Sequence, residues 1–149
     1  MTRLALALPL VLATALPAAA GNVTRQQSCQ LMANHVADIL ESRDWADEAA
    51  REIGVLKTYA VAQGAIIDEE IADSATQMSM PVEDIQAMVD QQGAMLDAQI
   101  DEKYGDKLYR DYTVALFDCA KMSPERLGSS PEDFVATLEQ IGNWAQINR

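Results

Sequence analysis

From residue 25 onward, nearly every segment of this chain repeats its apolar side chains with a 3.6-residue period, and no run of β-branched residues alternates with a period of two. Each segment therefore carries one apolar stripe, which can be buried only against other helices. The pattern predicts an all-α fold: a four- to five-helix bundle. A first helix is expected over 25–43, capped by Thr24, with Cys29, Met32, Val36, Ile39 and Leu40 on its seam. Asp44 is placed to cap a second helix of up to about thirty residues, whose seam includes Ile53, Leu56, Ala60, Gly64, Ile67 and Ile71. Ala60 and Gly64 admit a close neighbour, and Gly64 is the expected point of a break.

The segment 74–81 ends that helix, and Ser79 with Pro81 opens a third, stopping near Gly105. Its seam reads Ile85, Met88, Val89, Gln92, Met95, Leu96 and Ile100, with Met88 and Met95 as core filler. A fourth helix is expected over 106–122, turning Leu108, Tyr112, Ala115, Leu116 and Cys119 inward. After the turn made by Ser123-Pro124 and Gly128-Ser129, Ser130-Pro131-Glu132-Asp133 opens a last helix lined by Phe134, Leu138, Ile141 and Ala145. Trp45 and Trp144 fall near helix ends as half-buried covers of the bundle.

The first twenty residues follow a different logic. Arg3, the apolar run Leu4 to Leu16 and the small residues Ala18-Ala19-Ala20 have the layout of a secretory signal peptide, with cleavage between Ala20 and Gly21. An apolar core of about thirteen residues is shorter than the roughly twenty needed to span a bilayer. The expectation is residues 1–20 as signal and 21–149 as a single helical domain, exported to the periplasm or secreted, with no membrane span after cleavage. Asn22-Val23-Thr24 is a formal glycosylation sequon, read here as chance.

Export gives the two cysteines their meaning. Cys29 and Cys119 have only one intramolecular pairing, and an oxidising compartment favours it. Neither belongs to a C-x-x-C motif, so the bridge is read as structural. Both lie on apolar seams, which places it at a buried helix contact.

The chemistry-bearing motifs are sparse. His35 is the sole histidine and sits at the edge of its stripe, about 240° around the helix from Cys29, where a hydrogen-bonded structural role is expected. There is no E-x-x-H pair, no H-E-x-x-H, no G-x-S-x-G and no glycine-rich phosphate loop. Asp68-Glu69-Glu70 with Asp73, and Asp101-Glu102, read as solvated outer faces. Met78 and Met80, with His35 or Met32, form the weak candidate for a Cu(I) site.

The chain carries 11 basic and 23 acidic residues, a net charge of −12. Removing residues 1–20 takes away Arg3 and no acid, leaving −13. Such a charge disfavours nucleic acid and anionic lipid and favours a basic protein partner. The function expected is that of a non-enzymatic exported protein binding another envelope protein, as a stress chaperone or inhibitor, with no cofactor. The alternatives are a methionine-based copper carrier and an enzyme with a dispersed carboxylate site.

The layout Ser28-Cys29, Arg43-Asp44, Pro81-Val82-Glu83-Asp84-Ile85, Tyr104 and Leu116-Phe117-Asp118-Cys119 resembles small exported proteobacterial helical proteins of uncharacterised function that carry two cysteines. The resemblance implies a bridged periplasmic domain and no activity, with 45–80 as an extra segment. In size, helix content and single disulfide the chain is also similar to the HdeA-type acid-stress chaperones, although it is longer and matches none of their motifs.

Overall fold

The computed structural model describes residues 18–147, with side chains from Val23 onward. The expected signal segment lies mostly outside the described residues, and the Ala20–Gly21 junction falls in the first turn of the first helix. The chain forms α1 (Ala18–Glu41), a 3-10 turn (Ala46–Ala49), α2 (Ala50–Met78), α3 (Val82–Tyr104), α4 (Asp111–Ala120) and α5 (Pro131–Gln146). The predicted five-helix, all-α architecture is present, and there is no strand among the described residues. No described helix is long and apolar enough to cross a membrane.

The two longest helices, α1 and α2, form an antiparallel hairpin. Val23 shares an apolar cluster with Ile67 and Ile71, while further along α1 the Gln30 amide donates to Ala60 O at 3.2 Å. The seam residues Cys29, Met32, Val36, Ile39 and Leu40 are all buried, as are Ile53, Leu56 and Ala60 across from them. α4 and α5 close this half of the molecule with Tyr112, Leu116, Phe134, Leu138 and Ile141. Trp45 and Trp144 cover its end, their rings 5.0 Å apart.

The apolar interior is not continuous. Val23, Ile67, Ile71, Ala75, Ile85 and Val89 form a second, smaller core, with Met80 packed against it. Between the two cores runs a layer of glutamines. Gln27 donates to Val89 O at 2.8 Å, Gln63 to Arg126 O at 3.3 Å, and Thr24 Oγ1 meets Gln92 Oε1 at 3.0 Å. On α1, α2 and α3 alike, these polar positions fall between the residues of one core and those of the other. The Nε2 groups of Gln27 and Gln63 are satisfied there, while their Oε1 atoms are buried without a donor.

Several boundaries differ from the sequence reading. Thr24 does not cap α1: the helix continues back into the good helix formers Ala18 to Ala20, and the hydroxyl turns to Gln92. Asp44 caps no helix, since a 3-10 turn intervenes and Ala49 precedes α2. α2 passes Gly64 unbroken, because there the absent side chain makes room for Gln30, whose amide nitrogen lies 2.8 Å from where a Cβ would stand. Ser79 terminates α2 in the left-handed region at φ 52° rather than starting α3.

The fourth helix starts at Asp111, not at 106. Three anchors hold 106–110 off a helical path: Arg43 donates to Asp106 O at 2.7 Å, Tyr112 Oη to Lys107 O at 3.0 Å, and Leu108 is buried. Met88 and Met95 are not core filler, being 44 % and 54 % exposed. α3 rests on α1 and α2 along the narrow line Ile85, Val89, Gly93 and Ile100, so the flanking methionines find no second neighbour.

Candidate functional site

The expected bridge is present. Cys29 and Cys119 are joined with their Cα atoms 5.8 Å apart and 90 positions apart in sequence, tying α1 to the end of α4. Cys29 is buried at the helix contact and Cys119 is partly covered, and no free cysteine remains among the described residues.

His35 sits in the most organised polar cluster. Its Nδ1 lies 3.3 Å from Asp101 Oδ1 on α3, and its Nε2 lies 3.4 Å from Tyr112 Oη on α4. Tyr104, Tyr109 and Tyr112 pack ring against ring around it, with centroids 4.8–5.9 Å apart. An acid, an imidazole and a hydroxyl in sequence have the outline of a nucleophile relay, but the chemistry is missing. The Tyr112 side chain is fully buried and its proton is directed to Lys107 O. Burial, and then the neighbouring Tyr104 and Tyr109, push its phenol far above the ordinary tyrosine range. The cluster joins α1, α3 and α4 through His35.

The three weak metal candidates do not meet. Met78 is exposed at the end of α2, and Met80 packs on the second core beside Ile85. His35 faces Asp101, at the other end of α3, and the roughly nineteen residues between Val82 and Asp101 span about 28 Å of helix. Met32 is enclosed in the main core. Among the described residues, no group of three or more His, Cys, Asp or Glu side chains is placed to hold a metal ion.

What the structure does present is an open groove between α4 and α5, about 580 Å³ in volume. Val114 and Phe117 on one wall are 60 % and 43 % exposed, with Val135 and Leu138 on the other and Gly142 at the base, where the two helices come close. Arg110, Lys121, Asp118 and Glu139 stand along it. α4 turns Leu116 and Tyr112 into the core, and its neighbouring face is left without cover.

Comparison with protein families, curated proteins and solved structures finds no match. The groove combines an aromatic and two β-branched side chains with a charged edge. Apolar periodicity marks the buried side of each helix and is silent about such a face. The signal was present in the same arithmetic: with Leu116 and Cys119 inward, Phe117 and Val114 had to face elsewhere.

Proposed function

We propose that this chain is a non-enzymatic exported protein that binds a basic protein of the cell envelope through the α4–α5 groove. The observation that carries this reading is the exposed Val114–Phe117–Val135 surface, which the chain's own helices leave uncovered. An exposed Phe in a groove supplies the apolar anchor on which such interfaces depend. The net charge of −12 adds long-range attraction to a cationic partner. The Cys29–Cys119 bridge and the lack of a membrane-crossing described helix accord with export.

The test is affinity capture from envelope extract of the source cells at about 50 and 500 mM salt, followed by titration of the purified captured protein. A basic partner is expected to bind saturably, to weaken at high salt, and to lose binding to Phe117→Asp while that variant keeps its helical circular dichroism. Capture indifferent to both salt and Phe117→Asp defeats the proposal.

A further inference from the structure

The Cys29–Cys119 bridge is not sealed inside the core. An open pocket of about 370 Å³ lies between α1 and the end of α4, and both cysteines line it. Its other walls are Arg25 and Ser28 on α1 and Ala115, Asp118 and Met122 on the α4 side. The two cysteines are unequally covered. Cys29 is 2 % exposed within the α1 seam, whereas Cys119, in the last turn of α4, is only partly buried. A nucleophile entering from solvent therefore meets Cys119 first.

The local charge points the same way. The nucleophile in disulfide exchange is a thiolate, and most of a surface with a net charge of −12 repels an anion. At this pocket the balance differs. Asp118 is offset by Lys121, whose Nζ lies 3.1 Å from its Oδ1. Arg25 lines both this pocket and the neighbouring cleft of Glu70 and Asp73, yet it belongs to no ion pair among the described residues. Its charge is left to meet an incoming thiolate.

We propose that the bridge is a thiol–disulfide exchange site of the folded protein, attacked at Cys119 Sγ through this pocket by a thiolate. A small tripeptide thiol and an exposed C-x-x-C dithiol of another protein share that chemistry. The thiolate bonds to Cys119 Sγ, the Cys29–Cys119 bond breaks, and its electron pair leaves on Cys29 Sγ. Arg25, one turn before Cys29 on α1, lines the same pocket and supplies a cation that favours the departing thiolate. A second reductant thiolate then attacks the reductant's sulfur in the mixed disulfide and releases Cys119 as a thiolate. Two electrons enter the chain, one oxidised disulfide of the reductant departs, and α4 loses its covalent tie to α1. Exchange at Cys119 uses neither Phe117 nor Val135, so it stands or falls independently of partner binding in the α4–α5 groove.

The test treats the oxidised protein with reduced glutathione, or with a thioredoxin-type protein whose C-x-x-C is changed to C-x-x-S so that its mixed disulfide is trapped. Peptide mass mapping after acid quench follows the products. A first adduct on Cys119, with Cys29 as a free thiol, is expected at a rate that does not change with urea below the unfolding transition. The faster probe at equal thiolate concentration assigns the source. Arg25→Gln should slow exchange about threefold, while Lys107→Gln, an equal charge change beyond the other end of α4, should leave the rate unchanged. A rate that rises with urea from the lowest concentrations, along the slope of global unfolding, overturns the proposal, because exchange then needs the unfolded chain. A first adduct on Cys29, an Arg25→Gln rate equal to the parent's, or no reaction of the folded protein with either probe overturns it too.

Discussion

At the scale of single residues, the start of α5 shows how one carboxylate serves two contacts. Ser130 Oγ accepts from Asp133 N at 3.1 Å and donates to Asp133 Oδ2 at 2.9 Å, while Arg51 Nη2 reaches Asp133 Oδ1 at 2.9 Å from α2. The Arg51 hydrogen bond first, and the Ser130 hydroxyl second, hold the Asp133 carboxyl below its ordinary range. A carboxyl whose folded pKa is depressed adds stability above its unfolded pKa of about 3.9, and that stability is lost as pH falls through the folded value. Asp133→Asn keeps the shape and an acceptor but removes the charge. It should melt below the parent protein at pH 7, and the gap should close between pH 4 and pH 2. Thermal melts across that window check it, and a gap that persists at pH 2 contradicts the assignment.

At the scale of elements, the turn between α4 and α5 is fastened to α2 by its backbone. Leu127 is buried, Gln63 donates to Arg126 O, and Gly128 sits at φ 73° with Thr58 O only 2.8 Å from where a Cβ would stand. Gly128→Ala meets both a left-handed backbone and a carbonyl that cannot rotate away, and should cost about 2 kcal/mol, or roughly 8 °C in Tm. Gly54→Ala, in mid-helix with nothing within 4 Å of the new Cβ, should instead stabilise by about 0.5–1 kcal/mol. Paired melts of the two variants measure the contrast. Helix identity was legible in the sequence because the seams of α1, α2 and α5 each face a full neighbour. Met88 and Met95 were misread because periodicity reports a stripe and not the width of what covers it. The late start of α4 was hidden for a related reason: Arg43 and the Tyr112 hydroxyl reach 106–110 from outside that segment. The α4–α5 groove was half legible: Phe117 and Val114 had to face away from Leu116 and Cys119, but that Val135 of another helix stands opposite them is a tertiary fact that no local pattern carries.

At the scale of the whole molecule, the disulfide decides how far the two cores depend on each other. The α1–α2 hairpin belongs to both, whereas α4 and α5 touch only the larger one and join the hairpin through Cys119, Leu116 and the α5 seam. Closing a loop of about ninety residues stabilises by roughly 4–5 kcal/mol in the chain-entropy model, a large share of what a domain of this size holds. Cys29→Ser with Cys119→Ser removes that constraint and leaves the apolar seams nearly intact, so the helices should still form. With a slope of about 2 kcal/mol/M, the urea midpoint should fall by roughly 2 M. The loss should also be uneven. Amide exchange should accelerate most in α4 and α5, whose closure over α1 the bridge secures, and least in Ile67, Ile71 and Val89 of the second core, which no part of the bridge touches. Equal acceleration at both ends would mean that the glutamine layer couples the cores into one cooperative unit; protection retained around Ile67 with loss around Leu116 would mean that it separates them.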